Sequence, residues 1–137
     1  MISVLFVCVR NAGKSPMAAG MLQQLVDRSG VGDVEVRSAG IRAGGEPNAL
    51  SVRALAEVGV DIADHRPQQV TDELLQSADR VIVLGGQAGV ECFPGREVER
   101  WDTVQPSRFG LDGIERMRLI RDDLARRVAV LHADLTR

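Results

Sequence analysis

The sequence predicts an α/β fold, a single three-layer domain over residues 1–137 with a four-stranded parallel sheet of the flavodoxin-like kind. Three observations predict it. Two short apolar runs, Ile2-Ser3-Val4-Leu5-Phe6-Val7 and Arg80-Val81-Ile82-Val83-Leu84, read as strands buried on both faces, as in parallel sheets covered by helices. Segments of helical periodicity alternate with the strands. The 137 residues, 45% hydrophobic and 26% charged, suit one globular core and exclude wholesale disorder.

Each element has a local reason. The first strand ends in Cys8-Val9-Arg10-Asn11-Ala12-Gly13-Lys14-Ser15. A helix is predicted from Pro16, with Met17, Met21, Leu22, Leu25 and Val26 on one stripe, Ser15 as N-cap and Pro16 at the first helical position; Gly30 and Gly32 then break the chain. Val34-Glu35-Val36-Arg37 alternates as a second strand leading to Ser38-Ala39-Gly40, and a glycine-rich loop follows to Pro47. A helix from Asn48 to Val58 closes at Gly59, and Asp61 to Pro67 reads as irregular. Thr71-Asp72-Glu73 has the acidic first turn of a short helix reaching about Ala78. Strand Arg80 to Leu84 ends at Gly85-Gly86, and Val98 to Trp101 forms a short last strand. The stripe Ile114, Met117, Ile120, Leu124, Val128 and Leu131 predicts a C-terminal helix from about Leu111 to Leu135.

Composition narrows the function. A net charge of −2 provides no overall positive field for nucleic acid or an anionic membrane, and 3% aromatics without tyrosine argue against base-stacking platforms. Neither a signal peptide nor a membrane span is read, and two cysteines make no disulfide scaffold, so a cytoplasmic protein is expected. The oligomeric state, monomer or weak dimer, is left open. Among 17 basic residues Lys14 is the only lysine, which points to a position that prefers a compact ammonium to a planar fork.

Lys14 falls in the loop that carries chemistry. A strand, a glycine-containing loop and a helix N-terminus make an anion site, because backbone N–H groups converge and the helix dipole adds about half a positive charge. Residues Val9, Arg10, Asn11, Ala12, Gly13, Lys14 and Ser15 are therefore the expected oxyanion-binding set. The spacing nearly matches a Walker A motif with Cys8 in place of the first glycine, but the later strand ends in Gly85-Gly86 with no acid for Mg²⁺, and the chain leaves little room for a base. The stronger reading makes Cys8 a thiolate nucleophile activated by the helix N-terminus, Lys14 and the Ser15 hydroxyl, against the plainer reading of a buried structural cysteine.

Cys8-x5-Lys14-Ser15 resembles the C-x5-R-S signature of low-molecular-weight protein tyrosine phosphatases, directly after the first strand as in that family. Cys8-Val9-x-Asn11-x-Gly13-Lys14-Ser15 most resembles the actinobacterial arsenate reductases that use mycothiol and mycoredoxin. Ser38-Ala39-Gly40, Gly59 to Pro67, Thr71 to Asp79, and Trp101 through Arg116-Met117-Arg118-Leu119 extend the resemblance over nearly the whole chain. It implies the low-molecular-weight phosphatase fold and an arsenate reductase of the arsenate–mycothiol transferase type. Cys8 attacks arsenate, a small thiol such as mycothiol takes the arsenic as cosubstrate, and a mycoredoxin-like partner completes reduction to arsenite. No bound cofactor or metal is expected. Lys14 replaces an arginine whose fork grips two oxygens in the phosphatases, so phosphatase turnover is expected to be weak. Low-molecular-weight phosphatase action on phosphomonoesters is the alternative, and an oxyanion-binding or redox-sensing module is a third reading.

The resemblance also raises two questions of role. A related thioredoxin-linked family relays electrons through two further cysteines; aligned on the Arg80–Leu84 strand, the first position holds Gly85 and the second Cys92, so the relay is interrupted and Cys92 is read as a bystander. The family's general acid sits just before a proline, where Val104-Gln105-Pro106 stands here; Asp102, four residues before Pro106, is the candidate acid, with a surface loop acid as the plain alternative. Asn11 is expected to bond across the loop, His132 to lie on the surface, and Trp101 to serve as a core or lid residue. His65 and His132 form no metal set. The pairs Arg116/Arg118 and Arg126/Arg127 read as a solvated helix face on which an acidic redoxin surface could dock.

Overall fold

The computed structural model describes residues 1–30, 33–85, 93–103, 110 and 113–136. The elements follow in the order β1 (Ile2–Cys8), α1 (Lys14–Ser29), β2 (Val34–Gly40), α2 (Ala49–Ala56), α3 (Asp72–Ser77), β3 (Arg80–Leu84), β4 (Glu99–Trp101) and α4 (Gly113–Leu135). The strands form one sheet in the order β2-β1-β3-β4 with every pairing parallel, as expected.

The period-2 geometry of a strand explains how β1 and β3 serve two cores. Val4, Phe6 and Cys8 of β1, with Ile82 and Leu84 of β3, face the cluster formed with α1, α2 and α4, where Met17, Leu22, Leu55, Ile120 and Leu124 are buried. Leu5, Val7, Val81 and Val83 face the opposite cluster, beneath Leu75, Ala78 and Phe93. Both faces are covered, which is why the two runs read as unbroken apolar segments. Cys8 thus emerges on the α1/α4 side, at the carboxyl end of a central strand.

Caps set the helix limits. Asn48 Oδ1 accepts from Leu50 N and Ser51 N at 3.0 and 3.1 Å, and Thr71 Oγ1 accepts from Leu74 N at 3.1 Å. Gly30 closes α1 in the left-handed region at φ 62°. Three boundaries differ from expectation. Strand β2 runs on through Ser38-Ala39-Gly40, because Gly40 still pairs in register with Cys8. Helix α2 stops at Ala56, its end tightened by a bond from Val58 N to Leu55 O before the turn at Gly59. Helix α1 begins at Lys14 with Gly13 as N-cap, so Ser15 is not the cap and Pro16 is the third helical residue, still within the first turn. Among the described residues no helix is long and apolar enough to cross a membrane.

Candidate active site

The loop from Cys8 to Ser15 turns its carbonyls outward, and each finds a donor. Ile41 N donates to Cys8 O at 3.1 Å, Arg42 N to Val9 O at 2.8 Å, Gly44 N to Arg10 O at 3.4 Å, and Asn48 N to Ala12 O at 2.6 Å. His65 Nε2 lies 2.8 Å from Asn11 O; a carbonyl only accepts, so this ring nitrogen carries the proton. With the carbonyls held outside, the N–H groups at the start of α1 are left for a ligand. Gly13 has no side chain with which to cap them, and the helix has no side-chain cap bond. Behind the loop Gly40 leaves no room for a Cβ, which would lie 2.8 Å from Arg10 C, Asn11 N and Val9 O.

Cys8 is 8% exposed, and its sulfur lies 2.9 Å from Ser15 Oγ and 3.3 Å from the donating Asn11 N. Asn11 is fully buried in the left-handed region at φ 57°, a conformation asparagine tolerates better than most residues. Its side chain does bond across the loop: Nδ2 donates to Ser15 Oγ at 2.9 Å, and Oδ1 accepts from Gln68 N at 2.9 Å. Because Ser15 Oγ accepts from Asn11, its single proton is free to point at the sulfur. Had Ser15 capped α1, that hydroxyl would have been spent on the helix. Gln68 and His65 thus reach the loop from the irregular segment that follows α2. No local pattern marks them; His65 was read only as failing to form a metal set.

Lys14 is half-buried in the first turn of α1. Burial pulls its pKa below that of an ordinary lysine, the Arg116 charge lowers it further, and Cys8 and Asp123 act in the opposite sense. Gly85, at φ 88°, stands where a Cβ would come 4.0 Å from Lys14 Nζ, so the end of β3 flanks the ammonium. Val9, Ala12 and Gly13 are half-buried, and Arg10 is exposed.

Asp102 follows β4 on the same edge, since Val7 is level with Val83 and Leu84 with Trp101. Its backbone carbonyl accepts from Arg127 Nη2 at 2.7 Å, while its exposed carboxylate has no partner among the described residues. The structure places this side chain at the sheet edge without joining it to the Cys8 network. Cys92 and the Val104-Gln105-Pro106 segment lie outside the described residues. Trp101 is a half-buried core residue whose ring stands 5.7 Å from Phe6 at 58°. His132 is not a surface residue; it is half-buried, and its Nε2 has no partner among the described residues.

The arginines of α4 are not a uniformly solvated face. Arg118 and Arg121 both clamp Glu57 at the end of α2, at 2.6 and 2.8 Å, and hold its pKa down to about 2. Arg126 and Arg127 pair with Asp123 at 3.6 and 3.3 Å. Among the described residues no group of three or more His, Cys, Asp or Glu side chains comes together to hold a metal ion.

Chemically, the loop combines a sulfur fed by two donors, free N–H groups at a helix N-terminus and an ammonium, which suits attack on a tetrahedral oxyanion centre. Residues 3–137 match the family described as low molecular weight phosphotyrosine protein phosphatase. The chain is 40% identical over 119 residues to a Ralstonia solanacearum protein named "Probable low molecular weight protein-tyrosine-phosphatase EpsP", covering 77% of this chain and 79% of that one. It is 33% identical over 133 residues to an arsenate reductase of Halalkalibacterium halodurans, covering 91% of each. A YwlE mutant from Bacillus subtilis has the same fold at a TM-score of 0.86 and 28% identity, with 100% of both chains covered.

Proposed function

The chain belongs to the low molecular weight phosphotyrosine protein phosphatase family of enzymes, whose members include arsenate reductases, and we propose that it is itself an arsenate reductase that passes arsenic to a small thiol. The observation that carries this reading is Lys14 in the place of the family's loop arginine, within a cradle otherwise complete around Cys8. A lysine supplies positive charge but not the bidentate fork that grips the equatorial oxygens of a phosphoryl transition state. Arsenate makes less demand on that fork, because its sulfur adduct need not be hydrolysed.

In the proposed sequence arsenate enters the loop with its oxygens toward the N–H groups from Ala12 to Ser15 and the Lys14 ammonium. The Cys8 thiolate attacks arsenic, an As–S bond forms, and one oxygen leaves as water after protonation, with Asp102 or solvent as the acid. A second thiol, for which we assign mycothiol, then attacks arsenic. The Cys8–arsenic bond breaks, the thiolate is regenerated, and the arsenic leaves as a thiol conjugate. A redoxin thiol of the mycoredoxin kind attacks the conjugate's sulfur. This forms a mixed disulfide and leaves the electron pair on arsenic, which departs as arsenite. Two thiols are oxidised for each arsenate reduced.

The test is mass spectrometry after incubation with arsenate and mycothiol, with Cys8→Ser as control. Arsenate-dependent formation of the mycothiol–arsenic conjugate, absent in Cys8→Ser, is the expected result, and a near-normal rate in Asp102→Ala removes that residue from the mechanism. A Cys8–Cys92 disulfide formed with arsenate alone overturns the choice of thiol. The second reading, phosphomonoester hydrolysis, is favoured by the 40% identical phosphatase relative. Rapid p-nitrophenyl phosphate turnover with no arsenic chemistry establishes it.

A further inference from the structure

Within the loop from Cys8 to Ser15, Lys14 is the only side chain besides the nucleophile that holds a proton at neutral pH and is able to release it. Arg10 never gives its proton up, and the Ser15 hydroxyl is held between Asn11 Nδ2 and the sulfur. The backbone N–H groups of the cradle stabilise charge but transfer no proton. His65 lies behind the loop with its Nε2 proton on Asn11 O, and the exposed Asp102 carboxylate does not join the Cys8 network.

The fold sets the Lys14 ammonium on the outer side of the sulfur. Val7 pairs in register with Val83, so Gly85 lies one position beyond the level of Cys8, about 3.3 Å further toward the mouth of the loop. Lys14 Nζ lies 4.0 Å from where a Cβ on Gly85 would stand. Gly85 is pinned there, since its N donates to Trp101 O at 3.0 Å and its O accepts from Arg100 Nη1 at 2.9 Å. In-line displacement expels the leaving oxygen opposite the attacking sulfur, which is this same outward side. Three charged groups act on the ammonium besides its burial. Burial and Arg116 of α4 lower its pKa, which makes it a stronger acid than an ordinary lysine, while Cys8 and Asp123 act in the opposite sense.

We propose that Lys14 is the proton-transfer residue of the loop, giving its proton to the leaving oxygen and recovering one from the thiol that attacks next. The Cys8 thiolate attacks hydrogen arsenate, the As–S bond forms, and the As–O bond breaks as the Lys14 ammonium protonates the departing hydroxide to water. The neutral amine left behind takes the proton of the incoming thiol, whose sulfur attacks arsenic as the Cys8–arsenic bond breaks. Thiolate and ammonium are both restored, and the net change is arsenate plus thiol to conjugate plus water. The solvent proton of the slower route described above is thereby replaced by an internal one. The thiol half of the cycle rests on the arsenate reading; the proton given to the leaving oxygen does not. An arginine at this position performs neither step, because a guanidinium does not lose its proton in a protein.

Lys14→Arg separates the charge from the proton. Its affinity for inorganic phosphate, read by calorimetric titration, is expected to stay within about threefold of the parent or to tighten, which also shows the loop intact. Its kcat for thiol–arsenic conjugate formation at saturating thiol is expected to fall by about 10²-fold. The parent rate is expected to drop at alkaline pH as the ammonium titrates, and the residual rate of Lys14→Arg to lack that limb. In Lys14→Ala, added ethylammonium is expected to restore turnover, whereas guanidinium of equal charge is not. A Lys14→Arg kcat within about threefold of the parent, or equal rescue by guanidinium, overturns the assignment. A protein inert toward arsenate refutes the arsenate reading and still tests Lys14 through phosphomonoesters. Phenyl phosphate, whose phenolate needs a proton, is then expected to lose about tenfold more in Lys14→Arg than p-nitrophenyl phosphate, whose phenolate does not. Equal losses on the two esters overturn the role.

Discussion

Gly40→Ala is the most informative single perturbation, because the whole cradle leans on a position that looks ordinary in the sequence. A Cβ there would stand 2.8 Å from three backbone atoms of the loop, where ordinary contact begins at 3.4 Å. None of the three belongs to a side chain that can swing away, so the loop or β2 must retreat by about 0.6 Å, the kind of overpacking that costs about 1–3 kcal/mol. For a chain of this length a loss near 2 kcal/mol corresponds to about 5–10 °C in Tm. The displaced atoms include Asn11 N, the donor to Cys8 Sγ, and the carbonyl of Val9, held by Arg42 N. A misplacement approaching 1 Å costs about 10²-fold in rate, so a loss of about tenfold or more in phosphate affinity and in arsenate turnover is expected. Gly44→Ala is the matched control: a Cβ there meets nothing within 4 Å, and its N–H to Arg10 O is retained. Thermal melts and phosphate titration of the two variants form the assay. If Gly40→Ala loses stability yet keeps its phosphate affinity within about twofold, the strain is taken up by the sheet and the link from Gly40 to the loop is refuted.

Two further outcomes follow from the hydrogen bonds. Ser15→Ala removes the 2.9 Å contact to Cys8 Sγ and strands Asn11 Nδ2; alkylation of Cys8 by iodoacetamide at pH 7 is expected to slow by about tenfold, the effect of one bond to a charged sulfur, and an unchanged rate rejects the directional chain from Asn11 through Ser15. Glu57→Gln loosens the clamp between α2 and α4. Because Glu57 titrates at about 2 in the folded protein, below its ordinary value of 4.5, the clamp contributes fully above about pH 4.5 and loses its contribution as pH falls through about 2. Denaturant melts are therefore expected to show Glu57→Gln less stable than the parent at neutral pH, with the gap closing at acid pH; a gap independent of pH assigns the effect to packing instead.

The sequence alone determined the parts of this protein that depend on near neighbours. Strands β1 and β3 were legible because a residue buried on either face of a covered sheet must be apolar, so the solvent boundary is written directly into residue type. The loop was legible because Cys8, Gly13, Lys14 and Ser15 lie within eight positions of one another at the junction of a strand and a helix. Asn11 was expected to bond across the loop, and it does. Tertiary structure decided what those groups do. Ser15 reads as a helix cap from local propensity, but the helix is capped two residues earlier, at Gly13, which releases the Ser15 hydroxyl to the sulfur. His65 and Gln68 reach Asn11 from 54 and 57 positions away. The donors that hold the loop carbonyls outward are mostly backbone N–H groups, which every residue but proline possesses and no pattern can flag. The arginines of α4 likewise look alike along the chain. The packing of α2 against α4 gives Arg118 and Arg121 the carboxylate of Glu57, whereas Arg126 and Arg127 find Asp123 within the helix itself. Periodicity records which side of an element is buried, whereas a long-range partner is set by where two distant segments come to rest.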